Sequence, residues 1–201
     1  EELLNAISLT SFSTSKFESN SILSGANFEI DGNKFEIGAT DGSRLARYEG
    51  KLSEGCVSKQ KQSVVIPGRA LIELERLINS FKEGNELIDF YFLPGQIIFQ
   101  NNDFTMSTRI LSGNFPEYGK LIPSNQPSKA IFSRTDLLSA LERVSVLANE
   151  RTNVIKLSFK KGQNSAELIA NSPDYGNATD EVDVEYNGGS LDVAFNYKYM
   201  S

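Results

Sequence analysis

The 201-residue chain contains no histidine at all. That excludes Ser-His-Asp and Cys-His catalysis and every His-ligated zinc site. Its one cysteine, Cys56, cannot form an internal disulfide, cannot build a thiolate zinc site, and fits a reducing compartment. No apolar run reaches the roughly eighteen residues that a membrane-spanning helix needs. The opening residues Glu1-Glu2-Leu3-Leu4-Asn5 have neither the basic nor the apolar region of a secretory signal. Neither a Gly-x-x-x-x-Gly-Lys-Ser/Thr phosphate loop nor a Gly-x-Gly-x-x-Gly fingerprint occurs. Acid–base work by paired carboxylates stays open in principle, yet the 26 Asp and Glu scatter over polar faces and turns, as on a solvated surface. A net charge of −6 argues against a general nucleic-acid coat protein, so what matters is where the 20 Lys and Arg fall. With 39% hydrophobic and 23% charged residues, the chain has a globular composition, long enough for one large domain or two small ones.

The most informative stretch is Ala39-Thr40-Asp41-Gly42-Ser43-Arg44-Leu45-Ala46. It follows an alternating run (Phe28 and Ile30, then Phe35 and Ile37) split by Asp31-Gly32-Asn33-Lys34. That pattern predicts two strands joined by a tight turn, with Asp-Gly supplying positive φ. Thr40-Asp41-Gly42 then breaks the strand, presenting a guanidinium and a branched apolar side chain together where a sheet ends. One reading is an ordinary strand–turn–strand in which Asp41 satisfies its own turn backbone. The other is a recognition site.

The chain reads as an internal duplication. Leu3-Leu4-Asn5-Ala6-Ile7 opens a helical pattern that includes Phe12, and Leu137-Leu138-Ser139-Ala140-Leu141 opens another, offset by 137 − 3 = 134 residues. Strand-like alternation follows each, over 28–37 and 154–169. A polar break comes next, Thr40-Asp41-Gly42 in one and Asn171-Ser172-Pro173-Asp174 in the other. Each unit then has a strand running straight into a helix start: Ser63 to Leu71, and Leu191 to Tyr199. Ile66 and Phe195 are offset by 195 − 66 = 129 residues. Two units in the same order at nearly the same spacing imply a repeat. In the first unit, strands at 87–93, 97–100 and 104–110 follow, with a turn at Pro94-Gly95. Pro, Ser, Asn and Gln gather at 123–129 as in a linker, which places the domains at 1–125 and 126–201. The first unit starts directly in a helix and the second stops at Ser201, so the chain is expected to be cut at both ends.

The helix expected at 68–82 carries a stripe of Leu71, Leu74, Leu77, Ile78 and Phe81. Arg69, Glu73, Arg76 and Ser80 lie opposite. That second face is either a solvated one held by an i,i+4 Arg–Glu pair or a sparse basic face touching phosphates without reading bases. The helix expected at 135–148 repeats the design, with Leu137, Leu138, Leu141 and Val144 inward and Ser139, Glu142 and Arg143 outward. Ser133-Arg134-Thr135-Asp136 is a capping-box-like start.

These residues resemble one family closely, the beta sliding clamp of bacterial DNA polymerase III. The motifs that carry the resemblance are Ala39–Ala46, Val64–Leu74, Ser107–Tyr118 with Leu121-Ile122-Pro123, Leu138–Ser145 and Val193–Tyr199. They occur in family order at family spacing. The resemblance implies an α+β DNA-clamp fold of repeated domains, helices packed on antiparallel sheets, with most of a middle domain and half of a third. It implies a processivity factor rather than a catalyst, with no cofactor and no metal. The expected partners are duplex DNA held without sequence preference, the replicative polymerase catalytic subunit, the clamp loader, and other polymerases and repair proteins that carry clamp-binding peptides. A head-to-tail homodimer in the bacterial cytoplasm, associated with the nucleoid, is also implied.

Carried over position by position, the resemblance places Leu23, Thr40, Gly42, Arg44, Leu45, Pro116, Leu121, Asn196 and Tyr199 in a pocket for a short apolar peptide. Leu23, Leu45, Pro116 and Leu121 would form its floor, and Arg44, Asn196 and Tyr199 its polar rim. Ser43, Lys120 and Thr152 belong to the same set, but stand where many members have His, Arg and an aromatic residue, which bears on peptide preference. The family strand that closes the pocket has no counterpart here. Arg69, Arg76 and Arg143, with Lys16 and Asn20 in the loop after the first helix, would face DNA. Lacking a first domain, the 201-residue chain alone is expected not to close a ring, and the strand at 191–195 to lack its neighbours. A hydrolase using Asp41 and Asp174 would need those carboxylates about 5 to 9.5 Å apart across a cleft, but each has a local turn role in a different repeat. A duplicated α+β interaction domain unconnected with DNA would leave the five motifs unexplained.

Overall fold

The computed structural model describes residues 1–16, 21–80, 87–149 and 151–201. They form two compact units, Glu1–Ile122 and Pro123–Ser201. The first contains α1 (Glu2–Ser8), β1 (Gly25–Gly32), β2 (Lys34–Thr40), β3 (Leu45–Lys51), β4 (Ser58–Pro67), α2 (Gly68–Ser80), β5 (Asp89–Leu93), β6 (Gln96–Gln100) and β7 (Thr105–Arg109). Strands β3-β2-β1-β4 make one antiparallel sheet and β5-β6-β7 another.

The β1–β2 hairpin closes at Asp31 opposite Lys34, so its tip is Gly32-Asn33, one residue later than Asp-Gly. Gly32 alone takes positive φ there, at 60°, because the register that buries Phe28, Ile30, Phe35 and Ile37 on one face fixes where the chain must reverse. Those side chains meet Ile7 of α1, Leu71 and Leu74 of α2, and Ile97 and Phe99 of β6 in one apolar cluster. Phe28 receives Phe90 edge-on, with ring centroids 5.3 Å apart. Full burial of a side chain this size stabilises the fold by about 1.5–3 kcal/mol.

Two details of the helical reading are corrected in this unit. Helix α1 ends at Ser8, and Phe12 is not on its apolar face: it lies in a short 3₁₀ turn and is 51% exposed. On α2, Leu71 and Leu74 are buried as the period requires, while Phe81 and Lys82 lie outside the described residues. Glu73 pairs with Arg76 at 2.8 Å, three residues on, not with Arg69 four residues back.

The second unit contains β8 (Lys129–Phe132), α3 (Arg134–Ser145), β9 (Val154–Phe159), β10 (Ser165–Ser172), β11 (Gly176–Asn187) and β12 (Leu191–Asn196) in the order β12-β9-β10-β11-β8. Strands β12-β9-β10-β11 repeat the winding of β4-β1-β2-β3, so the duplication is one of topology as well as spacing. Helix α3 sends Ala140, Leu141 and Val144 onto Ile155, Leu157, Leu168, Val182 and Val184. Two expectations change here. The Lys129 end of the presumed linker is strand, because β8 pairs with β11 from Lys129↔Asn187 to Phe132↔Val184. Strand 191–196 pairs with β9 along its whole length and is the edge of its sheet, so its outer side lacks a strand neighbour among the described residues, as expected. Ser133 is at the N-cap of α3 but makes no side-chain cap; its hydroxyl lies 3.0 Å from that of Thr135.

Candidate partner and DNA-facing surfaces

The turn between β2 and β3 is closed by its own side chains. The Thr40 hydroxyl donates to the Arg44 carbonyl at 2.7 Å and accepts from Gly42 N–H at 3.1 Å. Asp41 Oδ1 accepts from the N–H groups of Ser43 (2.9 Å) and Arg44 (3.1 Å). Gly42 has φ 91°, where a side chain would be strained. Asp41 Oδ2 accepts from Arg44 Nε at 3.1 Å. Burial pushes the Asp41 pKa up, but the two backbone donors and the guanidinium outweigh it and hold the carboxyl below its ordinary range. Asp41 therefore does satisfy its own turn, and it also aims Arg44.

Arg44 Nη2 donates to the Phe12 carbonyl at 2.6 Å, and the guanidinium carbon lies 5.2 Å from the centre of the Phe12 ring. Exposed Phe12 thus has a partner that helical periodicity could not show. A few residues on, Ser15 N–H donates to the Leu23 carbonyl at 2.7 Å. The 12–15 segment thereby ties Arg44 to the turn that bears Leu23. Leu45 follows as a half-buried residue opposite Thr40. Pro116, Lys120 and Leu121 sit together on the segment after β7, all exposed, with Leu121 at 69%. Lys120 pairs with Glu117.

In the second unit, Thr152 lies just before β9, and Asn196 and Tyr199 lie at the paired end of β12 and in the turn after it. Asn196 caps the final 3₁₀ turn, its Oδ1 accepting from Lys198 N–H at 3.1 Å. Tyr197 N–H donates to the carbonyl of Asn153, the residue after Thr152, at 2.9 Å. Asn153 has positive φ, 53°. An open groove of about 630 Å³ in the same unit, lined by Lys129, Asp136, Asn164, Asp183, Glu185 and Tyr186, contains none of these residues.

Of the residues expected to face DNA, Lys16, Arg69, Arg76 and Arg143 are all exposed, while Asn20 lies outside the described residues. Arg76 is paired to Glu73. Arg143 Nε donates to Asp180 of β11 at 2.7 Å, and that bond holds the Asp180 pKa below its usual value. Arg69 has no ion-pair partner among the described residues. The basic faces are sparse, and part of their charge is internally matched.

Residues 1–117 match the model of the DNA polymerase III beta subunit, central domain, and residues 119–201 that of its C-terminal domain. The chain belongs to the DNA polymerase III beta subunit family. It is 35% identical over 199 residues to the beta sliding clamp of Synechococcus elongatus, covering 99% of this chain and 52% of that protein. With the beta sliding clamp of Staphylococcus aureus it shares 37% over 200 residues, covering 98% and 51%. The crystal structure of the beta subunit from Pseudomonas aeruginosa superposes with a TM-score of 0.91 at 29% identity over 99% of this chain and 52% of that one. For the Bacillus subtilis sliding clamp the values are 0.88, 33%, 98% and 51%. The chain thus spans about half the length of the clamps it matches. As a beta-clamp chain, it carries the α+β architecture of helices on antiparallel sheets expected from its motifs. Two features were missed at the sequence level: the Phe12–Arg44 contact, which has no sequence signal, and the packing of Tyr118, which Gly38 in mid-strand could have signalled.

Proposed function

We propose that this chain supplies the middle domain (1–125) and the first half of the third domain (126–201) of a DNA polymerase processivity clamp. The clamp is non-catalytic and cytoplasmic, associates with the nucleoid, and closes around duplex DNA as a head-to-tail homodimer. One observation carries the reading: two units of the same strand winding match the central and C-terminal beta-subunit domains, in that order, over nearly the whole chain.

Two surfaces divide the work. Helix faces bearing Arg69, Arg76 and Arg143, with Lys16 and Asn20 nearby, meet phosphates loosely. Each firm phosphate contact adds roughly 0.9 to the salt slope of binding, and many would hold the ring in place rather than let it slide. Internally paired arginines on an acidic chain suit that requirement. The second surface takes an apolar peptide from the replicative polymerase, the clamp loader, and other polymerases and repair proteins. Leu23, Leu45, Pro116 and Leu121 form its floor. Thr40, Gly42, Ser43, Arg44 and Lys120 shape and rim it within the first unit, and the family resemblance is what adds Thr152, Asn196 and Tyr199 of the second. Asp41 is wholly engaged in its turn and kept ionised, so a hydrolase built on Asp41 and Asp174 finds no support.

The test is primer extension on a singly primed circular template with the full-length protein, its polymerase and its loader. Long products that depend on the protein, and shorten when Leu45→Ala is introduced, support the reading. Product length independent of the protein would overturn it.

A further inference from the structure

The segment from Leu111 to Leu121 arches over the face of the first sheet that points away from α1 and α2. One end is fixed where Leu111 N–H donates to the Val65 carbonyl at 2.8 Å. Beneath the arch runs an open groove of about 990 Å³, lined by β-strand residues such as Asn27, Glu29, Glu36 and Ser63 and by the arch itself. Tyr118 is the buried residue near its far end, only 6% exposed. Its ring lies against Gly38, where a Cβ would overlap the phenol. Its hydroxyl donates to the Glu36 carboxylate, which accepts a second bond from Arg47 Nη2 at 2.7 Å. Phe115 packs edge-on against it, ring centres 5.9 Å apart. The backbone of this residue also bonds to the peptide-site positions on either side: Tyr118 N–H donates to the Pro116 carbonyl at 2.8 Å, and Leu121 N–H to the Tyr118 carbonyl at 2.9 Å.

Resting on the reading of a peptide-binding clamp, we propose that Tyr118 is a positioning residue for the partner site. It is plugged into the notch above Gly38 and fixes the arch so that Pro116 and Leu121 are presented in one arrangement. Exposed apolar residues on an open segment would otherwise have to be ordered by the peptide at each binding event, which weakens affinity. The Glu36 carboxylate makes the plug specific. Burial favours the protonated form of Glu36, but the hydrogen bonds from Arg47 and Tyr118 outweigh it and keep Glu36 ionised, while burial and the Glu36 bond keep the phenol protonated.

Three variants of the full-length protein test this: Tyr118→Ala removes the plug, Gly38→Ala fills the notch without replacing any residue of the arch, and Tyr118→Phe keeps the ring but not the hydroxyl. Two readouts are taken on each. One is the affinity for a fluorescein-labelled peptide copied from the clamp-binding segment of the replicative polymerase. The other is amide hydrogen exchange over 112–121 compared with β1 and β2. The expected result is faster exchange confined to 112–121 and about tenfold weaker peptide binding in both alanine variants. Tyr118→Phe should retain most of the affinity. Faster exchange with unchanged affinity overturns the positioning role. Unchanged exchange in 112–121 shows that Tyr118 is no anchor. Exchange rising equally in β1 and β2 makes Tyr118 a support of the sheet rather than of the arch, and also overturns the inference. If the unaltered protein binds no such peptide, the functional reading itself fails and the positioning role with it, whatever the exchange data show.

Discussion

Replacing Asp41 by alanine removes three bonds from the turn that aims Arg44: two backbone N–H donors lose their acceptor and the guanidinium loses its carboxylate. Each backbone bond contributes about 0.5–1.5 kcal/mol net. The Asp41 and Arg44 side chains are 17% and 23% exposed, and the ion pair between them adds a further 0.2–1 kcal/mol or so. Asp41→Ala should therefore lower stability by about 2 kcal/mol, while Asp41→Asn, which keeps an oxygen for the two N–H groups, should cost about 0.5–1 kcal/mol. Urea unfolding followed by circular dichroism reads both. The pH dependence has a definite sign. A carboxyl whose folded pKa lies below its ordinary value of 3.8 contributes stability above that pH and loses it as pH falls through the lower folded value. The gap between the unaltered protein and Asp41→Asn should be constant from neutral pH down to about 5 and vanish well below 4. Equal costs for the two variants, or a gap that survives at low pH, would refute the assignment of these bonds.

Other substitutions probe the two surfaces and the core. Leu45→Ala should weaken binding of a clamp-binding peptide by about 1–3 kcal/mol in calorimetry, and unchanged affinity in a folded protein would remove Leu45 from the site. Replacing Arg69 and Arg76 together by Glu should impair retention on DNA while peptide affinity stays near its original value; the reverse outcome would mean the two faces are exchanged. Leu168→Ala, at a fully buried position of β10, should cost about 2–5 kcal/mol in chemical unfolding, and a smaller loss would mean the second unit's core is less tightly packed than its burial indicates.

Much of each unit could be read from the residues because one physical pattern repeats. Phe28, Ile30, Phe35 and Ile37 alternate on a half-buried sheet, while Leu71 and Leu74 recur at helical spacing, and both patterns follow directly from which face meets the core. What could not be read depends on partners distant in sequence. Strand β8 is a short segment in a polar stretch, and its identity comes only from the exposed edge of β11 beside it. Phe12 continued a helical period but left the helix, because α1 stops at Ser8 and Arg44 offers its ring a cation. Glu73 has an arginine at both i−4 and i+3, and spacing alone does not rank the two. Of the candidate site, the Thr40–Leu45 turn was legible because Asp, Gly and Arg each have local roles there. The Tyr118 plug was not, because it joins residues 80 positions apart in the chain, from Gly38 to Tyr118.

A clamp that encircles DNA rather than gripping it is held by topology and not by phosphate contacts. The most direct measurement is retention of the full-length protein, loaded on a nicked circular duplex, through a high-salt wash, followed by linearising the circle. An encircling protein stays on the circle in salt that screens phosphate contacts and is released when a free end is cut. Loss in the salt wash, or retention on the linear product, would contradict encirclement.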